Sequence, residues 1–208
     1  LSEAISMDPI GALTAMLPTW YLIPFALVAI LGLVGGAILD LYSSGLALVS
    51  IGVPIKRHQA AIIDSVIMLA GTIYIVWVAD NFFYPFQGFL ITLGVPVAVW
   101  SAIFVADVVM RKKAYSEKDL FDSNGLYGSV NKGSILLMGV GSIIGWGFVT
   151  NTFAPWLEWQ GYLLRFIGGK DGAWAYSNIG VIFALLIGFF GHIILSARKI
   201  KAQESLLS

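Results

Sequence analysis

Long apolar stretches are the feature that most constrains this chain. Five of them are long enough to cross a bilayer as helices, because a hydrocarbon core of about 30 Å takes roughly 20 helical residues. Their approximate ranges are 20–51, 60–78, 82–110, 134–150 and 179–196. Residues 1–19 precede them and are expected to hold a short helix at the membrane interface. The sequence therefore predicts an all-α, polytopic helical membrane protein.

The composition excludes several other classes of protein. Only 12% of the 208 residues are charged and 58% are hydrophobic, which is unlike a soluble domain. Lys and Arg (12) balance Asp and Glu (12), so no basic surface for nucleic acid is expected. Without cysteine, and with two histidines far apart in the chain, no thiolate metal site or haem site can be built. We therefore expect no cofactor, no bound metal and no enzymatic activity.

The distribution of cations predicts the orientation of the chain. Cytoplasmic connections of membrane proteins carry the excess of Lys and Arg. Of the 12 cations only Arg165 and Lys170 lie between the fourth and fifth stretches, and the others lie in the first and third connections and after the fifth stretch. Residues 198–208 are therefore predicted to be a cytoplasmic tail, and residues 1–19 an external segment. An external start without an initiator Met indicates a piece of a longer protein.

Asp40 interrupts the first stretch, and an acid inside an apolar helix is by default a functional candidate. Gly32, Gly36, Asp40 and Ser44 recur every four residues with Ser43 beside them, so they follow one slowly drifting face of a helix. This face is predicted to line an aqueous cavity that holds a polar solute or a cation. In the alternative interpretation, the glycines form a packing seam and Asp40 marks the end of a shorter span.

Asp64 lies about one turn inside the second stretch. It is a second candidate, beside Asp40, for a carboxylate that carries a proton. The alternative is a structural ion pair with Lys56 or Arg57, which lie in the preceding connection.

The third stretch contains Gly94-Val95-Pro96. Proline removes a backbone donor and kinks a helix, and a neighbouring glycine frees the backbone further. Gly94 and Pro96 are therefore predicted to form a gate. A purely structural proline kink is the alternative.

Three further polar or small-residue features are predicted to be structural. Asp107 and Arg111, four residues apart, are expected to form an ion pair at the end of a helix. Gly141 and Gly145 have the spacing of a helix-packing face. His192, in the last stretch, is expected to be a hydrogen-bonded structural residue rather than a proton relay.

Several short segments of the sequence, taken in order, resemble one family. They include the polar part of the first stretch, the gate segment and the acid near the end of the third stretch. In order, these segments are 39–46, 55–57, 93–100, 104–107 and 119–121. Together they are similar to the C-terminal part of purine–cytosine permeases of the nucleobase:cation symporter-1 family, and the similarity extends from about Asp8 to Ser196.

The resemblance implies a twelve-helix transporter with the inverted-repeat architecture of the leucine-transporter fold, of which this chain would supply helices 8 to 12. It implies a secondary active transporter in the plasma or inner membrane, which imports cytosine, a purine or a related small heterocycle by cation symport with alternating access. Its partners would be membrane lipid, the nucleobase-type substrate and the coupling cation, and no nucleic acid. A self-contained five-helix membrane scaffold or assembly subunit is the alternative.

The same resemblance places the candidate residues. Gly36, Asp40, Ser43 and Ser44 would lie on the polar part of helix 8, and residues 94–96 would be the bending region of helix 10. Sodium-coupled relatives carry hydroxyl residues at the positions of Gly35 and Gly36, and glycine offers a hard cation no side-chain oxygen. A proton is therefore favoured over sodium as the coupling ion.

Overall fold

The computed structural model describes residues 4–5, 8–50 and 55–206, and every regular element in these ranges is helical. The α-helices are α1 (Pro9–Thr14), α2 (Leu22–Ser50), α3 (Arg57–Trp77), α4 (Phe83–Met110), α5 (Glu117–Leu120), α6 (Lys132–Gly147) and α7 (Ile179–Leu206). Single turns of 3-10 helix lie at Thr19–Tyr21, Pro155–Leu157 and Leu164–Phe166. The predicted all-α class is confirmed.

Polar side chains mark where several helices begin. The Asp8 carboxylate accepts the Gly11 amide at 2.9 Å, and Pro9 occupies the first position of α1, where its missing N–H costs nothing. The Asn131 side chain accepts the Gly133 amide at 3.2 Å at the start of α6. These caps supply acceptors for amides that have no partner within the helix.

Four helices in the described part of the chain are long and apolar enough to cross a membrane. The candidate spans are Thr19–Leu48, which includes the 3-10 turn before α2, and Arg57–Trp77, Phe83–Met110 and Ile179–Leu206. The helix in the fourth predicted range, α6, has 16 residues and is about 24 Å long at 1.5 Å per residue, which is shorter than the bilayer core. The last helix continues to Leu206, through most of the predicted tail, because Glu204 and Gln203 are bonded to the connection that follows α4.

The described residues form two compact units that divide between residues 85 and 86. In the first unit α2 and α3 form an antiparallel pair that meets at Gly45 and the fully buried Ala60. Large apolar side chains such as Ile23 and Leu31 are exposed along α2. This pattern suits helices that face lipid or other membrane helices.

The core of the second unit lies where α4, α6 and α7 meet. It is built from buried apolar side chains of the three helices, with Val149 from the segment after α6: Val95, Ala98, Val99, Ile103, Leu137, Val149 and Ala184. A Cβ atom on Gly141 would lie 2.8 Å from Val99, and one on Gly145 would overlap Val95. The predicted helix-packing role of these two glycines is confirmed.

Residues 148–178 connect α6 to α7 without a long helix, but the segment is partly buried. Leu157 and Leu164 are almost completely buried, as are the polar side chains of Asn151 and Gln160. The segment is therefore packed against the helices of its unit, and it brings amide groups to the side of α4.

Candidate functional site

The first candidate site lies on α2 and α3. The Ser44 hydroxyl donates to the Asp64 carboxylate at 2.6 Å, and both side chains are partly buried. The helices are in contact here, since a Cβ atom on the buried Gly45 would lie at van der Waals distance, 3.7 Å, from the Arg57 carbonyl oxygen. The structure thus brings together two of the predicted site residues, Ser44 and Asp64, which lie 20 positions apart.

Asp64 has a different partner from the one considered in the sequence. Within the described residues it forms no ion pair with Lys56 or Arg57, and its bond to Ser44 takes that place. The Arg57 guanidinium instead lies over the Tyr42 ring, 4.1 Å from its centre.

The other predicted site residues of α2 lie on a separate face of that helix. Asp40 and Ser43 are exposed, and Asp40 makes no hydrogen bond or ion pair to any part of the chain that the structure describes. A Cβ atom on Gly32, Gly35 or Gly36 would meet nothing within 4 Å. The four-residue spacing drifts by about 40° per step, so the face that carries Gly36 and Asp40 turns toward α3 only at Ser44.

The surroundings of the glycines on α2 are relevant to the alternative interpretation, in which these glycines form a packing seam. Gly32 and Gly36 do not pack against any residue of their own unit, so the small side chains leave open helix surface next to Asp40. A cavity of about 600 Å³ in this unit lies elsewhere, where α1 approaches the end of α3, and none of the predicted site residues lines it.

The second candidate site is the predicted gate on α4. Gly94 and Pro96 lie inside a helix that continues from Phe83 to Met110. A Cβ atom built on Gly94 would have no neighbour within 4 Å. Pro96 has no amide hydrogen, so the Thr92 carbonyl, four residues earlier, lacks its helical donor. The Trp146 indole Nε1 donates to this carbonyl at 2.8 Å.

A buried polar cluster adjoins the same turn of α4. Asn151 Nδ2 donates to the Gly88 carbonyl at 2.9 Å and to the Thr92 hydroxyl at 3.1 Å, and Gln160 Nε2 donates to that hydroxyl at 2.8 Å. Sequence reasoning missed both amides, because polar residues in a connection between spans give no signal of burial.

A third cluster joins the end of α4 to α7. Arg111 forms the predicted ion pair with Asp107, with Nε 2.7 Å from Oδ2, which confirms that prediction. The buried His192 ring lies with Nε2 3.1 Å from the other Asp107 oxygen, and the Tyr115 hydroxyl also donates to Asp107. His192 is thus hydrogen-bonded, as expected, but the pairing of Asp107 with His192 was not predicted.

Two groups of this cluster lie just beyond the end of α4. Burial lowers the pKa of Arg111, but its bond and attraction to Asp107 outweigh burial and raise the pKa above the usual value. Burial, followed by the bond to Asp107, raises the pKa of Tyr115. Arg111 therefore stays charged and Tyr115 stays a hydrogen-bond donor. Cavities of about 230 and 270 Å³ flank Asp107.

Comparison with known proteins identifies a family. A family model described as permease for cytosine/purines, uracil, thiamine and allantoin matches residues 2–169. No curated protein and no solved structure matches the chain significantly. The matched range includes the α2–α3 site, the gate segment of α4 and the amides of the connection after α6.

Proposed function

Because the chain belongs to the family of permeases for cytosine/purines, uracil, thiamine and allantoin, we propose that it is the C-terminal part of a symporter that imports a nucleobase or a related small heterocycle with a proton. The family consists of transporters, not enzymes, and the chain is a multi-pass membrane protein. We further propose alternating access of a site near the middle of the bilayer, in the plasma or inner membrane, with a cytoplasmic C-terminus.

The position of Asp40 carries this proposal. Asp40 lies one turn after the middle of α2, or about 6 Å along the helix axis at 1.5 Å per residue. An acid at this depth is costly in lipid, and such residues face a wet cavity or a polar partner. Asp40 is exposed and has no partner among the described residues. A carboxylate in this position can bind and release a proton as its exposure to the two sides changes.

Gly36 and Ser43 lie on the same face of α2 as Asp40. Gly36 leaves open backbone one turn before Asp40, and the Ser43 hydroxyl is exposed beside it. Backbone and hydroxyl groups next to an acid suit a planar polar solute such as a nucleobase, which presents both hydrogen-bond donors and acceptors. We propose that Gly36, Asp40 and Ser43 line this side of the substrate cavity, and that Ser44 lies at its edge, where its hydroxyl is bonded to Asp64.

Asp64 is the second candidate for the proton carrier. Its carboxylate already accepts the Ser44 hydroxyl at 2.6 Å, a bond that the charged form makes most strongly. This bond gives Asp64 a role in positioning Ser44. We therefore propose that Asp40 carries the proton and that Asp64 holds the Ser44 hydroxyl in position.

Substitution of Asp40 tests the proton coupling. The permease that contains this segment is reconstituted in liposomes, and accumulation of labelled cytosine or hypoxanthine is driven by an inward gradient of about one pH unit. Cotransport of one proton allows about tenfold accumulation, because tenfold corresponds to about 1.4 kcal/mol. Asp40→Asn is expected to abolish accumulation but to retain exchange of labelled for unlabelled substrate, because the neutral side chain keeps its size.

Two acid-to-amide variants serve as controls for Asp40→Asn. Asp80→Asn changes an exposed acid in the turn after α3 and is expected to leave accumulation unchanged. Asp64→Asn is expected to reduce the transport rate but to retain proton-driven accumulation. If Asp40→Asn accumulates substrate as the unmodified protein does, Asp40 is not the carrier. If Asp64→Asn alone abolishes accumulation, that role belongs to Asp64.

Replacement of sodium tests the choice of ion. Gly35 and Gly36 provide no side-chain oxygens, and nothing in the described chain lies within 4 Å of a Cβ atom built on either of them. We therefore expect uptake to be unchanged when choline replaces sodium at constant pH and to stop when an uncoupler is added. Uptake that requires sodium and ignores the uncoupler would contradict proton coupling.

A further inference from the structure

The proline of α4 leaves one backbone carbonyl without its helical partner. Pro96 has no N–H, so the Thr92 oxygen has no donor at the usual position four residues later. An unsatisfied backbone group is costly at membrane depth, and neighbouring helices commonly supply the missing partner. Here the partner is Trp146, near the end of α6, whose indole Nε1 donates to Thr92 at 2.8 Å.

The Trp146 ring is held in place from more than one side. It packs against the buried core of its unit, and its ring centre lies 5.6 Å from that of Trp159 in an edge-to-face arrangement. The Trp146 carbonyl also accepts the Gly161 amide at 2.9 Å. The indole is therefore a preorganised donor, and its N–H is aimed at the one carbonyl that Pro96 leaves free.

Two buried amides hold the same turn of α4. The Thr92 hydroxyl accepts Gln160 at 2.8 Å and Asn151 at 3.1 Å, and it donates to the Gly88 carbonyl at 2.8 Å. A Cβ atom on Gly88 would lie 2.8 Å from a Leu157 methyl group and 3.1 Å from Asn151 Oδ1, so the connection packs directly against this glycine. The N-terminal half of α4 is thus bound to the segment after α6 immediately before the proline.

We propose that Trp146 is a positioning residue for the α4 gate, because its indole N–H replaces the amide that Pro96 lacks. While this bond is made, the turn before Pro96 is held against α6. When the bond is released, the N-terminal half of α4 bends at Gly94 and Pro96. The proposal rests on the gate predicted at Gly94 and Pro96 and on the alternating access of the proposed function, and it assigns to Trp146 control over the balance between the bent and unbent states.

Trp146→Phe removes the donor and keeps an aromatic ring. The bending is measured as the distance between spin labels on Leu90→Cys and Leu136→Cys, by pulsed electron paramagnetic resonance on the permease in nanodiscs without substrate. Both positions are exposed, and they lie about 20 Å apart along the helices. Cysteines elsewhere in the permease are replaced, and this segment has none.

We expect Trp146→Phe to raise the ratio of bent to unbent states about tenfold, because a partly buried carbonyl loses its donor. Trp159→Phe is the matched control. It removes an indole in contact with Trp146 whose own N–H makes no hydrogen bond in the described chain, so the distances are expected to stay unchanged.

Pro96→Ala separates the proposed role from general packing. Alanine restores an amide at position 96, so the Thr92 carbonyl regains its helical donor and the indole N–H becomes dispensable. In the Pro96→Ala background, Trp146→Phe is therefore expected to leave the ratio unchanged. A general loss of packing at Trp146 would shift the ratio equally in both backgrounds.

Each outcome decides the proposal. Unchanged distances in Trp146→Phe, or an equal shift with and without Pro96→Ala, overturn it. If Trp146→Phe alone fails to fold, the double variant with Pro96→Ala must fold for the proposal to stand, and a double variant that also fails to fold overturns it. The distances need no substrate, so a permease that shows the expected coupling but does not import nucleobases contradicts only the proposed function.

Discussion

Replacement of Asp107 by alanine is expected to cause the largest loss of stability in the second unit. The Asp107 carboxylate accepts hydrogen bonds from Arg111, His192 and Tyr115. The side chains of Arg111 and His192 are only 9% and 2% exposed. Alanine would leave these groups buried without their acceptor. Removing one partner of a buried ion pair typically costs about 3–5 kcal/mol.

Thermal unfolding of the purified permease in detergent measures this effect. Asp107→Asn keeps an acceptor oxygen and the size of the side chain, so we expect its midpoint temperature to lie between those of Asp107→Ala and the unmodified protein. Glu117→Ala removes an exposed acid from the short helix α5 and is expected to have almost no effect. A midpoint for Asp107→Ala equal to that of Glu117→Ala would show that the cluster contributes nothing to stability.

Gly180→Ala is expected to separate α6 from α7. A Cβ atom on Gly180 would overlap the Gly145 carbonyl oxygen and lie 2.9 Å from Val149, so backbone atoms would have to move. Overpacking of this kind typically costs about 1–3 kcal/mol. The amide of Gly180 also donates to the Phe148 carbonyl at 3.2 Å, and a shift of α7 would strain that bond.

A glycine in open space provides the matched control. Gly139 is on α6, and a Cβ atom on it would meet nothing within 4 Å. Gly139→Ala is expected to be neutral or to stabilise the helix by up to about 1 kcal/mol, since alanine has the higher helix propensity. Thermal unfolding and size-exclusion chromatography compare the two variants. Equal stability of Gly180→Ala and Gly139→Ala would contradict the close contact of α6 and α7.

The all-helical membrane architecture and the family are the parts that the sequence predicts best. An apolar stretch of about 20 residues that crosses a bilayer forms a helix, because a helix satisfies its backbone hydrogen bonds internally. The local pairs are predicted well for a similar reason. Asp107 and Arg111 share a helix face, and the spacing of Gly141 and Gly145 is sufficient to indicate a contact with another helix.

Partners that are distant in sequence are the part that could not be predicted. Ser44 can be expected to lie near Asp40 from helical periodicity alone, but its bond to Asp64 depends on how α2 and α3 cross. In the same way, Asn151 and Gln160 acquire their role from the burial of a connection that has no periodic pattern.

Local periodicity and composition are properties of consecutive residues, so the sequence by itself determined the class of protein, the approximate helices and the acid on α2. Only the tertiary structure decided which groups meet across 54 and 85 positions, as Trp146 meets Thr92 and His192 meets Asp107. The physical reason is that a hydrogen bond forms over about 3 Å, whereas helix periodicity specifies a face and leaves the neighbour open.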